Sequence, residues 1–186
     1  MTPEYPVADP ARGAARFDQS EAAVASNGDG YLVAWTSWLN TARGRLGSIR
    51  AARVDAGGVP VDQFGFPVST GGSGASAPSV AWNNGVYLVV WEQDIPEQTF
   101  PCCFPDLVAD VYGARIASDG TVLDPEGFAI ATGTGSHQDA ATVAPLGDGF
   151  VVAFRDRRPD RPGIRAARVR PDGTVMDPDG LDVAVG

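Results

Sequence analysis

Three short apolar runs recur along the chain, and each has the pattern of a strand that is buried on both faces. They lie at residues 31–35, 87–91 and 150–154. Each run is rich in β-branched and aromatic residues, follows a glycine-bearing turn and precedes a long polar stretch. Such runs are too short for helices and predict central strands. The predicted core positions are Val33, Trp35, Val89, Trp91, Val152 and Phe154.

Other residues repeat in register with these runs. An arginine, an aspartate and a glycine three residues beyond that aspartate follow each run: Arg53, Asp62 and Gly65; Arg115, Asp124 and Gly127; Arg168, Asp177 and Gly180. Each repeat divides into four strand-like pieces, A to D, which in the second repeat lie at residues 79–82, 86–92, 110–117 and 121–131. The A and B pieces join at Asn83-Asn84-Gly85, which is a strong hairpin signal.

Four antiparallel strands that repeat every ~50–60 residues predict the blades of an all-β propeller, with negligible helix. We predict the tail of a preceding D strand and its connection at residues 1–19. The blades follow at residues 20–71, 72–133 and 134–186. Antiparallel order places the A–B and C–D turns at one end of each blade and the B–C and D-to-A connections at the other. The B–C loops, predicted at residues 36–48, 92–109 and 155–163, vary most in length and therefore predict the binding face.

The chain also resembles a known family. A Val-Val-Trp-Glu strand, an aromatic-Gly-Ala-Arg strand and the segment Asp-Gly-Thr-Val-Leu-Asp-Pro-Glu-Gly-Phe are similar to a repeat of secreted and surface proteins of environmental bacteria, many taken to be β-propellers. The resemblance implies a propeller fold and a location outside the cell or on its surface. It brings no catalytic residues with it.

Propeller closure takes about four to eight blades, so three repeats do not close a ring. We expect either self-association, most simply as a dimer of two three-blade chains, or the remainder of a longer propeller chain. A formal net charge of -9 argues against nucleic acid as a partner. No apolar run approaches the ~20 residues that span a bilayer, so no membrane span is expected.

The adjacent cysteines Cys102 and Cys103 lie in the longest predicted B–C loop. They could form a strained disulfide, which export would favour, or they could be loop thiols of local structural use. A metal site needs more ligands than this pair, so we predict neither metal nor cofactor. The Asp-Gly turns that precede Asp124 and Asp177 lack the alternating oxygen ligands of a calcium loop. We interpret these aspartates as turn formers that bind their own backbone.

Candidate ligand-binding residues gather on the predicted binding face. Trp38 offers an indole for stacking, or it anchors a loop against the blade. His137 is either a ligand contact or a hydrogen-bonding loop histidine. The arginines near residue 155 could receive an anion, or they could form a self-neutralising network with neighbouring aspartates. The full set is Trp38, Arg43, Arg45, Asp94, His137, Gln138, Arg155, Asp156 and Arg157.

Two function classes fit these residues. The preferred one is a non-catalytic extracellular binding or scaffold module whose ligand is a carbohydrate or another surface protein. The alternative is an enzyme with its active site at the propeller mouth. An enzyme should show a clustered acid/base set on that face, whereas the polar residues differ from blade to blade. We therefore predict no catalytic residues.

Overall fold

The computed structural model describes residues 17–41, 44–69, 74–96, 107–133 and 137–185. These residues form strands and turns without any helix, and so no helix among them could cross a membrane. Sheet 1 contains β1 (Phe17–Ser26), β2 (Gly30–Thr41), β3 (Gly44–Asp55) and β4 (Phe66–Pro67). Sheet 2 contains β5 (Ala75–Asn83), β6 (Val86–Pro96), β7 (Leu107–Ala117) and β8 (Phe128–Ala131). Sheet 3 contains β9 (Gln138–Leu146), β10 (Gly149–Asp156), β11 (Gly163–Val169) and β12 (Leu181–Val185).

Each sheet is antiparallel, with its four strands in chain order. The first strands of the sheets are neighbours, because β1 packs against β5 and β5 against β9. One apolar cluster fills the space between sheets 1 and 2, and a second fills the space between sheets 2 and 3. This arrangement confirms the predicted all-β fold of propeller-type blades.

The core prediction is correct at five positions and wrong at one. The five buried side chains are Trp35, Val89, Trp91, Val152 and Phe154. Val33 is only partly buried. It occupies the same place in sheet 1 as Val89 in sheet 2, but it lies on the face of sheet 1 that points away from sheet 2. Its neighbours Leu32 and Ala34 point the other way and belong to the cluster between these sheets.

The repeated arginine and aspartate form the same pair in every sheet. In sheet 2, Arg115 donates from Nε and Nη2 to the two carboxylate oxygens of Asp124, at 2.8 Å each, and its backbone N–H also donates to Oδ2. Arg53 binds Asp62 and Arg168 binds Asp177 in the same way. The interpretation of these aspartates as binders of their own backbone is therefore wrong, because their carboxylates accept from the arginine nine residues earlier.

The repeated glycine lies against the aromatic residue of the second strand. A Cβ on Gly127 would lie 2.9 Å from the Trp91 ring, and one on Gly65 would lie 2.5 Å from the Trp35 ring. The N–H of each repeated glycine bonds the carbonyl of the paired aspartate, as from Gly127 to Asp124 at 2.9 Å. The fourth strand is consequently shorter than predicted. In sheet 2 a single bridge joins Ile116 and Val122, and β8 begins only after the turn that follows.

The predicted B–C loops are also corrected by the structure. The strands β2 and β3 remain paired as far as Thr41 and Gly44, so most of the loop predicted at residues 36–48 is a hairpin. The strands β6 and β7 remain paired to Pro96 and Leu107, which moves much of the segment 92–109 into strands. Of the predicted tail at residues 1–19, the part before Phe17 lies outside the described residues, and β1 begins at Phe17.

Candidate functional site

The first strand of each sheet carries a bulge at one equivalent position near its start. Glu21, Ala77 and Ala140 occupy these positions with φ of 58°, 51° and 53°. A positive φ is unfavourable for residues other than glycine, and such strain persists only where surrounding contacts impose it. All three bulges lie at the end of the sheets where the second strand ends and the third begins, hereafter the B–C end.

Hydrogen bonds from two of these bulges link neighbouring sheets. The N–H of Ala77 donates to Glu21 Oε2 at 2.9 Å, from sheet 2 to sheet 1. The N–H of Ala140 donates to Glu92 Oε1 at 2.7 Å, from sheet 3 to sheet 2. Glu21 Oε2 also accepts from the Thr36 hydroxyl at 2.6 Å. Each of these two inter-sheet contacts thus places a carboxylate at the B–C end: Glu21 of β1 in the first and Glu92 of β6 in the second.

Glu92 is partly buried, and its environment favours the protonated acid. Burial raises the pKa of the Glu92 carboxyl, and the negative charges of Asp139 and Glu21 raise it further. The hydrogen bond from Ala140 and the charge of His137 act in the opposite direction without reversing the shift. Glu92 is therefore a carboxylic acid that holds its proton to higher pH than an ordinary glutamate.

Asp139 lies next to Glu92 and is held as a carboxylate. Arg155 Nε donates to its Oδ1 at 2.5 Å, and Arg157 Nη2 donates to its Oδ2 at 2.7 Å. Burial by itself would raise the pKa of Asp139, but the hydrogen bond from Arg155 and the charges of Arg157, Arg155 and His137 lower it overall. Two neighbouring carboxyl groups thus have pKa values displaced in opposite directions.

His137 contacts two neighbours through its ring nitrogens. Its Nδ1 accepts a hydrogen bond from the Ala109 N–H at 2.7 Å, and its Nε2 lies 3.2 Å from Asp139 Oδ2, a contact that is an ion pair when the ring is protonated. Asp94 and Asp110 lie near the same imidazole. Burial raises the pKa of both carboxyls, and the charge of His137 opposes that rise. A Cβ on Gly74 would overlap the Asp94 side chain, which is packed directly against that backbone.

Four of the predicted site residues therefore lie together at the junction of sheets 2 and 3. They are Asp94, His137, Arg155 and Arg157, and they share the junction with Glu92, Asp110 and Asp139. Among the described residues, no group of three or more His, Cys, Asp and Glu side chains is arranged to hold a metal ion. The groups that the junction offers are proton donors, proton acceptors and the cationic edges of two arginines.

Trp38 and Arg45 lie in sheet 1 and contact each other. The Trp38 indole Nε1 donates to Ser20 Oγ at 2.9 Å, and the Arg45 guanidinium lies 4.8 Å from the ring centroid. Arg45 also pairs with Asp18 at 3.1 Å. Trp38 is thus a partly buried strand residue whose N–H and one ring face are already engaged. The geometry agrees with the anchoring alternative more closely than with an open stacking platform.

Gln138 and Asp156 are opposite one another in the pairing of β9 with β10, and both are buried. The Asp156 carboxylate accepts from Arg158 Nε at 2.8 Å and lies 3.4 Å from Arg165 Nε. Both side chains are therefore internal, and their role as ligand contacts stays a prediction. The arginines around residue 155 form the self-neutralising network, and each pairs with an aspartate of sheet 3. Arg43, Cys102 and Cys103 lie outside the described residues.

Sequence reasoning did not select Glu21, Glu92, Asp110 and Asp139. One signal could have found Glu92 and Asp139. The position after each strand-ending aromatic is Thr36, Glu92 or Arg155, and the residue paired opposite it is Ser20, Ser76 or Asp139. These positions differ in chemistry between repeats that otherwise match closely. A varying polar position within a repeated frame indicates a site, whereas the repeated residues maintain the fold.

No protein-family model matches the chain, and no curated protein sequence is significantly similar to it. Solved structures do match. An exo-1,5-α-L-arabinanase from a bovine ruminal metagenomic library superposes with a TM-score of 0.55 and 11% identity, covering 91% of this chain and 59% of that one. A mannose phosphorylase from Leishmania mexicana matches with a TM-score of 0.53 and 15% identity, covering 92% and 51%.

The α-L-arabinanase of Cellvibrio cellulosa matches with a TM-score of 0.53 and 9% identity, covering 90% of this chain and 58% of that one. The chain thus spans between about half and three-fifths of the length of these solved structures. At such low identity the likeness shows the fold, and it supports the β-propeller part of the family resemblance. Membership of the secreted bacterial repeat family stays a prediction.

Proposed function

We propose that this protein is a carbohydrate-directed propeller enzyme that cleaves a glycosidic bond at the B–C end of the three sheets, with Glu92 as the proton donor. The observation that carries the proposal is the neighbouring pair Glu92 and Asp139, whose pKa values are displaced in opposite directions. Glycosidases use a carboxyl of raised pKa as the general acid, together with a second carboxylate that acts on water. The similar structures are two arabinanases and a mannose phosphorylase, and their substrates support a carbohydrate as the substrate class.

In the proposed reaction, protonated Glu92 donates its proton to the glycosidic oxygen as the bond from that oxygen to the anomeric carbon breaks. The leaving sugar departs as an alcohol, and a water molecule forms the new bond to the anomeric carbon. Glu21 takes the proton from this water. Both of the hydrogen bonds described above for Glu21 reach Oε2, so Oε1 has no hydrogen-bond donor among the described residues. Solvent then returns a proton to Glu92 and removes one from Glu21.

Asp139 has a different role in this scheme. Its two oxygens are neutralised by Arg155 and Arg157, so it is a poor nucleophile, and a single displacement by water is favoured over a covalent intermediate. The guanidinium groups of these arginines are half exposed and present N–H donors suited to sugar hydroxyls. A polymeric carbohydrate substrate also agrees with the proposed location outside the cell or on its surface.

The test is a hydrolysis assay on arabinan, mannan and aryl glycosides, with reducing ends or released phenol as the signal. Glu92→Gln should lower kcat about 100-fold or more, because loss of a general acid typically has that effect. Binding of an oligosaccharide, measured by calorimetry, should change little. Glu126→Gln is the matched control, since Glu126 is exposed in the turn before β8. Equal loss in both variants, or full activity in Glu92→Gln, would contradict the assignment.

A second candidate is the non-catalytic binding module. The neutralised Arg155–Asp139–Arg157 cluster favours it, because such a rigid, half-exposed set of donors can bind sugar hydroxyls without chemistry. In that case the wild-type protein would bind an oligosaccharide and release no product. Arg157→Gln should weaken this binding, whereas Glu92→Gln should leave it unchanged.

A further inference from the structure

Sheets 1 and 3 each have one face against which no other sheet of the described chain packs. We define the leading face as the side of sheet 1 that carries Val24, Tyr31, Val33 and Val54. The trailing face is the side of sheet 3 that carries Val151, Ile164 and Val183. Both faces are apolar, and the exposure of equivalent residues elsewhere in the molecule indicates what should cover them.

On the leading face, Val24 is 61% exposed and Tyr31 is 43% exposed. Their equivalents in sheet 2 are Val80 and Tyr87, and in sheet 3 Val143 and Phe150. All four of these are nearly or completely buried, because another sheet packs against them. The leading face is thus the same surface that sheets 2 and 3 each bury against the preceding sheet.

The trailing face shows the reverse relation. Val183 is 64% exposed and Ile164 is 41% exposed. The equivalents of Val183 are Val68 and Ile130, and those of Ile164 are Ile49 and Val111. All four are buried against the following sheet. The leading and trailing faces therefore correspond to the two sides of one interface that the molecule already forms twice.

A polar contact repeats across the same interface. Arg53 of sheet 1 lies against Gly120 in the turn after β7, and a Cβ on that glycine would lie 3.0 Å from Arg53 Nε. Arg115 of sheet 2 lies in the same way against Gly173 and donates to the Pro171 carbonyl at 3.0 Å. The next arginine in this series, Arg168, is exposed, and the first glycine, Gly58, has no atom near its Cβ position.

We propose that a second copy of this chain covers both faces, with the trailing face of each copy packed on the leading face of the other. Arg168 of one copy would then contact the turn at Gly58 of its partner, as Arg115 contacts the turn at Gly173. Two copies of three sheets give six sheets, which is within the range of closed propellers. A head-to-tail interface forms a closed ring when its rotation closes, and the ring then leaves no apolar face exposed.

The first test is the mass of the full chain in solution, measured by light scattering and analytical ultracentrifugation. We expect twice the chain mass of 19.3 kDa. Tyr31→Asp alters the leading face and Val183→Asp the trailing face, and each should weaken self-association about 100-fold or more by placing a charge in an apolar contact. Leu123→Asp is the control, since Leu123 is exposed although sheet 2 has a sheet on either side. It should stay dimeric.

Mixing the two variants separates loss of docking from loss of folding. A dimer of one Tyr31→Asp chain with one Val183→Asp chain has one interface with both charges and one interface that is wholly wild type. The mixture should therefore form dimers that neither variant forms alone. A wild-type monomer at about 50 µM, where a specific interface should be occupied, would overturn the proposal. Failure of the mixture to associate, or an equal effect of Leu123→Asp, would do the same.

Discussion

At the scale of single residues, the balance of charges around Glu92 can be tested without any substrate. Asp139 raises the pKa of Glu92 by its negative charge, while Arg155 and Arg157 are held beside Asp139. Asp139→Asn removes that negative charge and leaves the positive charges of both arginines uncompensated. Each effect favours ionised Glu92. We therefore expect Asp139→Asn to lower the pKa of Glu92.

The measurement is a titration of the Glu92 side-chain carboxyl carbon by NMR. The control is Asp177→Asn, which also separates an aspartate from an arginine in sheet 3, but at Arg168 and away from the B–C end. The control should leave the titration of Glu92 unchanged. If Asp139→Asn instead raised the pKa of Glu92, the assignment of Asp139 as a carboxylate that acts on Glu92 would be wrong.

How far the site could be predicted also follows from single residues. The B–C end, His137 and Arg155 could be predicted, because strand order and turn chemistry place them. The partnership of Glu92 with Asp139 could not. Glu92 meets sheet 3 through the N–H of Ala140, and that contact depends on a positive φ that no property of alanine indicates. Burial of Asp156 depends on Arg158 and Arg165 and is equally invisible in a local pattern.

At the scale of strands and turns, the repeat predicted the number and order of strands but not their extent. The hairpin at Asn84 and Gly85 is as predicted, with φ of 46° and 88°. The sequence predicts a loop at the far ends of β2 and β3 because their residues are mostly polar or small. Polar and small residues are typical of loops, so their composition does not show that β1 still pairs with β2 as far as Leu39 or that Thr36 and Ser37 are buried. The pairing of β2 with β3, as between Asn40 and Arg45, is nevertheless continuous.

The glycine before β8 should be far more sensitive than the glycine in the β5–β6 hairpin. Gly127 and Gly85 both have positive φ, so alanine at either position introduces backbone strain of about 1–2 kcal/mol. A Cβ at Gly127 would also press on the Trp91 ring at 2.9 Å, whereas one at Gly85 meets nothing within 4 Å. Such overpacking adds about 1–3 kcal/mol. We expect Gly127→Ala to lose that much more unfolding free energy than Gly85→Ala.

Chemical denaturation of both variants, with matched m-values, measures this difference directly. Equal losses would mean that Trp91 moves aside freely and does not hold the entry to β8. The comparison also tests the origin of the repeat. If Gly127→Ala loses more stability than Gly85→Ala, the glycine that follows each paired aspartate is required by the aromatic side chain of the second strand, and not only by the turn.

At the scale of the whole molecule, two groups of carboxyls act in opposite directions on stability. In the first group, hydrogen bonds and charges from arginines lower the pKa values and hold the carboxyls ionised, although burial opposes this shift. The group is Asp62, Asp124, Asp139, Asp156 and Asp177. The second group has pKa values raised by burial at the B–C end: Glu92, Asp94 and Asp110. The fold therefore joins a scaffold that favours ionised carboxyls to a site that favours protonated ones.

These opposite shifts predict a stability maximum at mildly acidic pH. A carboxyl with a raised folded pKa stabilises the fold below its unfolded pKa and loses that contribution as pH rises through the folded value. A carboxyl with a lowered folded pKa stabilises the fold above its unfolded pKa, near about 4, and loses that contribution as pH falls through the folded value. The melting temperature should thus rise as pH falls through the raised folded pKa values of the second group, and then drop as pH falls below about 4. Asp110→Asn should reduce the rise in melting temperature on acidification, whereas Asp148→Asn, at an exposed position, should leave that rise intact. A melting temperature that only increases up to pH 8 would contradict the raised pKa values at the B–C end.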